Sequence, residues 1–185
     1  GSVWLDGNKS SPYSFYQYWL NVADEDVASF LKYFTFLEAD EIRGSSEEMK
    51  ANPGGRFAQK LLADSVTELV HGKNSVDSAK RISQILFAGD VRDLSLDDFQ
   101  QLELDGLEVA RIESDAGLLA AMTDAGITKS RGEARNLVKS GGVSVNSISV
   151  SDESHSLTRS DALFNKYHLI RRGKKNFKLL VLENS

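Results

Sequence analysis

The sequence predicts an α+β chain: an all-helical N-terminal domain, then a small α/β domain of two short helices packed on a small, mainly antiparallel sheet. Three observations carry this reading. Up to about residue 100 the apolar side chains recur at helical spacing, whereas beyond Gly142 they alternate with polar ones as strands require. The charge balance also reverses along the chain. Residues 1–120 hold 11 Lys and Arg against 21 Asp and Glu, a balance of −10, and residues 121–185 hold 11 against 6, a balance of +5. An acidic body with a basic tail suits a polyanionic partner, without saying which one.

The bulk numbers narrow the class. With 185 residues, 41% hydrophobic and 26% charged, the chain has the composition of a folded protein between one ordinary domain and two small ones. It contains no cysteine, which excludes a disulfide framework, thiolate metal sites and thiol catalysis and fits a reducing compartment. No basic stretch leads into an apolar run at the start, and no apolar segment approaches the ~20 residues of a membrane span. A cytoplasmic location with no membrane partner is the expectation.

Taken in order, Ser11-Pro12 opens the first helix, with the hydroxyl as cap and proline where its missing N–H costs nothing. Phe15, Trp19 and Val22 share one face of it. Asp24 is expected to cap a second helix, whose buried stripe is Val27, Phe30, Leu31 and Phe34. Ser45-Ser46-Glu47-Glu48 reads as a capping box opening a short third helix that Asn52-Pro53-Gly54-Gly55 ends. Phe57, Leu61, Leu62, Ser65 and Leu69 mark a fourth, closed by Gly72. A fifth runs from about Ser75 to Phe87, and Ser95 with Asp98 starts one more turn. Periodicity fails from Gln101 to Asp115, which places a linker at 101–115 between domains at 1–100 and 116–185.

In the second domain Leu118, Leu119 and Met122 mark a short helix ending near Gly126. A capping box from Ser130 to Glu133 opens the next helix, with Ala134, Leu137 and Val138 inward and Gly141-Gly142 as its stop. Val143, Val145, Ile148 and Val150 around Asn146-Ser147 read as strand, turn and strand. Tyr167 to Arg172 and Phe177 to Leu182 read as two strands about a basic turn.

Two basic clusters fall in this domain. Arg131, Arg135 and Lys139 lie four apart, with Lys129 just ahead of them, on a face expected to be opposite Leu137 and Val138. Ser130, as the cap, leaves backbone N–H groups at the helix start that can meet a phosphate. Arg171, Arg172, Lys174 and Lys175 form the second cluster. A lone basic stripe is ordinarily a solvated face; two clusters on one small fold shift the balance towards nucleic acid. The aromatic run from Tyr13 to Trp19 permits base stacking, but its helical spacing favours packing.

The stretch Ile127-Thr128-Lys129-Ser130-Arg131-Gly132-Glu133-Ala134-Arg135-Asn136-Leu137-Val138-Lys139-Ser140-Gly141-Gly142-Val143-Ser144-Val145-Asn146 closely resembles the RNA-binding domain named after ribosomal small-subunit protein four. Val3-Trp4-Leu5-Asp6, Ser11 to Trp19, Leu31 to Leu37, Ala63 to Gly72 and Ile170 to Asn176 resemble, in the same order, bacterial-type tyrosyl-tRNA synthetases beyond their catalytic domain. The resemblance implies a helical anticodon-binding domain followed by a domain lying against the stem and long variable arm of tRNA-Tyr. For RNA binding the resemblance implies Lys129, Arg131, Arg135 and Lys139; with the residues read from the cap and the second cluster, the expected RNA-binding set is Lys129, Ser130, Arg131, Arg135, Asn136, Lys139, Arg171, Arg172, Lys174 and Lys175. It further implies a parent enzyme that uses ATP with Mg and tyrosine on a class I catalytic domain and dimerises through that domain, with the present portion monomeric and DNA not a partner.

No catalytic or metal-binding residue is expected here, and no cofactor. The histidine-rich and lysine-serine motifs of class I synthetases are missing, and so is a phosphate loop of the G-x-x-x-x-G-K type. His71, His155 and His168 lack ligand spacing. Asp97-Asp98 lie at a helix start, which already accounts for them. Two other readings stay open at this point: a stand-alone structured-RNA-binding factor with the same module, and a protein-interaction module whose basic tail is incidental.

Overall fold

The structure, a computed structural model, describes residues 3–183. Its contacts divide the chain into two compact units, one up to Ile82 and one from Ser83 onward.

The first unit is helical throughout. In α1 (Pro12–Leu20) the Ser11 hydroxyl accepts the Ser14 N–H at 3.1 Å, as its sequence predicts. The cap of α2 (Asp24–Phe34) is Ala23 rather than Asp24. Asp24 is free of the capping role because its carboxylate accepts from Gln59 Nε2 at 2.6 Å, across to α4 (Phe57–His71). A larger difference concerns α3 (Ala39–Ala51), which begins well before the expected Ser45 box. Glu38 and Glu41 make the capping box instead, and the Ser45 and Ser46 hydroxyls donate back to the Ile42 carbonyl at 2.8 and 2.9 Å. A serine inside a helix can satisfy its hydroxyl on the preceding turn, so a local S-S-E-E pattern does not have to mark a start.

Phe15, Tyr16 and Trp19 of α1 pack with Val27, Leu31, Ile42, Leu62 and Val66 in one core, joined by Val76 and Ala79 of α5 (Lys73–Ala88). The aromatic run is packing, with Trp19 edge-on to Phe15 at 6.1 Å and to Phe30 at 6.0 Å. The inward face of α4 is Ala58, Leu62, Ala63 and Val66, which leaves Phe57 and Leu69 exposed where a buried stripe was expected. Phe34 is likewise exposed at the end of α2.

The division at Ile82 falls inside α5, so the segment expected as a linker belongs to the second unit. After α6 (Leu96–Gln101), residues 102–106 form a π-helical turn and Val109–Ile112 form strand β1. A single π turn and a four-residue strand have no periodicity to detect, which is why the sequence reads blank there. The reassignment moves nine acidic side chains into the second unit, which then holds 13 Lys and Arg against 15 Asp and Glu. The charge reversal belongs to the stretch beyond residue 120, not to a whole unit.

The remaining elements are β2 (Ala116–Gly117), α7 (Leu118–Asp124), α8 (Arg131–Lys139), β3 (Val143–Val145), β4 (Ile148–Ser149), β5 (Ser156–Leu157), β6 (Tyr167–Arg172) and β7 (Asn176–Leu182). The main sheet has the order β1-β7-β6-β3-β4, antiparallel except for β1 on β7, and β2 pairs with β5 in a separate ladder. Asn146 and Ser147, at φ 49° and 68°, make the tight β3–β4 turn.

Side chains alternate across the sheet. Val143, Val145, Ile170, Leu180 and Leu182 face α7 and α8, meeting Leu118, Met122, Ala134 and Val138. On the other face Tyr167 stacks on Phe99 of α6 with ring centres 5.1 Å apart. Further along that face Leu86 and Val91, from the end of α5 and the turn after it, line a small gap with Leu169 and Arg171. This second layer explains why the contact boundary lies so early.

Two polar groups clamp the sheet. Arg172 donates to the Ile127 carbonyl at 2.7 Å and to Glu133 Oε1 at 2.9 Å, tying the turn between α7 and α8 to β6. His168 is 1% exposed; its Nε2 lies 3.0 Å from the Thr158 carbonyl, which requires Nε2–H there, and its buried Nδ1 has no partner. Burial pushes its pKa below the ordinary value of 6.5.

Each clamp has a measurable consequence. Arg172→Ala lowers the unfolding free energy of the second unit by about 1–2 kcal/mol, since the Ile127 carbonyl loses its donor; Arg172→Lys recovers only part of it, and an unchanged denaturant midpoint would contradict this. For His168 the unfolded chain takes up its proton first as pH falls. Stability is therefore full above about pH 6.5 and declines below it, down to the lower pKa of the folded state. Between pH 7.5 and 5.5 the wild type loses more stability than His168→Gln; equal losses would show that this histidine is not the buried neutral group described.

Candidate nucleic-acid interface

The outward side of α8 carries a run of cationic and polar side chains. Arg131, Arg135, Asn136 and Lys139 are exposed on the helix, and Lys129 and Ser130 are exposed just before it. Ala134 and Val138 anchor the helix inward, and Leu137 is partly buried beside them. Positions four apart drift by about 40° around a helix, so the Arg131–Arg135–Lys139 stripe flanks Val138 instead of opposing it. The stripe thus runs along the edge of the helix that leads to the loop between β4 and β5.

The opening of α8 is half a capping box. Ser130 Oγ accepts the Glu133 N–H at 3.2 Å, as expected, so one amide of the first turn is already satisfied. The Glu133 carboxylate accepts the Lys129 N–H at 2.7 Å, not that of Ser130, and turns its other oxygen to Arg172. These contacts, led by the Lys129 N–H, hold the Glu133 carboxyl below the usual carboxylate range.

The eight cationic candidates divide into three groups. Lys129, Arg131, Lys174 and Lys175 are exposed and make no salt bridge among the described residues. Arg135 and Lys139 share one acidic partner: Glu153 Oε2 lies 2.6 Å from Arg135 Nε and its Oε1 2.8 Å from Lys139 Nζ. The third group is the pair of arginines on β6, which the alternation of the strand sends to opposite faces. Arg172, on the helix side, is engaged by Glu133 and the Ile127 carbonyl and is a clamp. Arg171 lies on the face shared with Ser144 and Phe177, its cross-strand neighbours. The two clusters therefore do not merge into one surface in full.

Part of the second cluster does approach the helices. The Gly173 N–H donates to the Gly142 carbonyl at 3.0 Å, so the β6–β7 turn lies beside the stop of α8. Gly173 sits at φ 64°, a backbone state that glycine adopts without strain. Lys175 and Arg172 line an open cleft of about 740 Å³ together with Gly126, Ile127, Asn176 and Phe177. Glu108 on its rim pairs with Lys178 at 2.8 Å.

Glu133 and Glu153 are the acidic neighbours of the candidate cations that the sequence reading did not identify. Glu133 was visible as a capping residue, but its link to Arg172 joins residues 39 apart. Glu153 is 18 residues from Arg135, in a turn with no pattern of its own, and nothing local signals the contact.

The family model described as Tyrosine–tRNA ligase SYY-like C-terminal domain matches residues 98–180, and that of tRNA synthetases class I (W and Y) matches residues 1–88. The tyrosine–tRNA ligase of Chromobacterium violaceum is 46% identical over 181 residues, covering 97% of this chain and 43% of that protein. That of Klebsiella pneumoniae subsp. pneumoniae is 47% identical over 180 residues, covering 97% and 42%. Among solved structures, a C-terminally truncated Aspergillus nidulans mitochondrial tyrosyl-tRNA synthetase matches 46% of this chain and 25% of its own at 38% identity, with a TM-score of 0.44. The chain spans less than half the length of the curated relatives it matches. With both family models matched along it in order, the chain belongs to the tyrosine–tRNA ligase family and corresponds to its C-terminal region.

Proposed function

We propose that this chain is the tRNA-binding region of a tyrosine–tRNA ligase, holding tRNA-Tyr by its anticodon region and long variable arm for aminoacylation elsewhere in the enzyme. The observation that carries the reading is the outward side of α8, where Arg131, Arg135 and Lys139 are exposed on one short, well-anchored helix and Lys129 is exposed just before it. Folded RNA offers its shape, its phosphates and its sugar hydroxyls, and a cationic helix edge with hydrogen-bonding Ser130 and Asn136 suits those groups. The Lys174-Lys175 turn, beside the stop of α8, extends the same surface.

Aminoacylation with ATP, magnesium and tyrosine, and dimerisation, belong in this reading to a catalytic domain outside this chain. His71 ends α4 and Lys73 begins α5, so the His71-to-Ser75 stretch is a helix junction. Among the described residues no group of three or more His, Cys, Asp and Glu side chains is placed to hold a metal ion. No helix among them is long and apolar enough to cross a membrane.

Binding to tRNA-Tyr, titrated across a salt series, tests the proposal. Arg135→Ala combined with Arg171→Ala weakens binding and flattens the log Kd against log salt slope by about one to two ion equivalents. The two single variants divide that loss between the helix side and the opposite sheet face. An unchanged slope removes both residues from the contact surface, and equal affinity for an elongator tRNA without the long arm removes the variable arm from the proposal.

A further inference from the structure

Glu153 occupies an unusual place for an acidic residue on a surface read as an RNA face. Its carboxylate bridges Arg135 and Lys139, one helical turn apart on α8, with one oxygen on each cation at 2.6 and 2.8 Å. Two oxygens shared between two cations is also what the non-bridging oxygens of a phosphodiester offer. The side chain is presented by a preset turn. Asp152 Oδ1 accepts the Ser154 N–H at 2.8 Å and the Ser154 hydroxyl at 2.7 Å, and the His155 N–H donates to the Asp152 carbonyl at 3.3 Å. Hydrogen bonds from Lys139 and Arg135 hold the Glu153 carboxyl below the usual range, so it stays ionised at neutral pH.

We propose that Arg135 and Lys139 form a subsite for one RNA backbone phosphate, and that the Glu153 carboxylate fills this subsite in the free protein until RNA displaces it. The inference rests on the reading of α8 as an RNA-binding face. The side chains involved are 53%, 59% and 35% exposed for Arg135, Lys139 and Glu153, so water screens the pair and its displacement is easy. Arg131 and Lys129 carry no such occupant and are open to any polyanion. Glu153 therefore works as a selectivity device: an RNA gains from Arg135 and Lys139 only if its backbone delivers a phosphate to that point. Glu133 differs in kind, since its carboxylate is committed to the Lys129 N–H and Arg172 and remains in place.

Glu153→Gln keeps the shape and removes the charge. Its expected effect is roughly two- to fivefold tighter binding of tRNA-Tyr at low salt, a gain that shrinks as salt rises. The gain disappears when Arg135→Ala and Lys139→Ala are also present. Glu108→Gln, which removes an equal charge next to Lys178, is the control for net charge. Unchanged or weaker binding by Glu153→Gln overturns the inference, as does an equal gain from Glu108→Gln. Failure of the underlying reading looks different: Arg135→Ala with Lys139→Ala would then leave binding unaltered in the otherwise wild-type chain.

Discussion

A sheet that is apolar on both faces has to be covered twice, and the second unit is organised around that demand. Ile170, Leu180 and Leu182 look one way and Tyr167, Leu169 and Leu179 the other, all essentially without solvent. Burial of each such side chain is worth about 1.5–3 kcal/mol, so neither face can be left to water. Helices α7 and α8 close the first face; Phe99 of α6, with Leu86 and Val91 nearby, closes the second. Because Ala134 and Val138 are fixed inward, the rest of α8 has no choice about which residues it shows. The cationic edge is a by-product of core packing.

Much of this was legible in the sequence. The helical first half, the Ser11 and Ser130 caps, the Asn146-Ser147 turn and the two long strands follow from local chemistry, which acts over a few residues. What stayed hidden depends on partners far along the chain. β1 is a strand only because β7 lies beside it, and the Glu103 network with Lys166 and Tyr167 at 2.7 Å joins residues more than sixty apart. The start of α3 was misplaced for the opposite reason: a local signal at Ser45 existed, and a stronger one at Glu38 prevailed.

The same distinction applies to the interface. Residue type and spacing found the cations, but not their company. Alternation along β6 separates Arg171 from Arg172, a consequence of strand geometry that a list of basic residues cannot convey. Arg172 serves the fold, Arg135 and Lys139 share a carboxylate, and Lys129, Arg131, Lys174 and Lys175 meet solvent. Charge counts alone would weigh all of them equally. Their surroundings grade them from clamp to contact.

The position of β7 in the sheet sets the order in which the unit can be completed. Among the described residues β7 is the sole ladder partner of β1 and the main partner of β6, yet it follows both of them in the chain. Until it arrives, residues 109–112 have no ladder to join, and one long edge of β6 presents unpaired amides and carbonyls to other chains. Closure at such large sequence separation is slow compared with helix formation. A nascent chain stalled or clipped ahead of Asn176 would carry formed helices over an open, adhesive half-sheet.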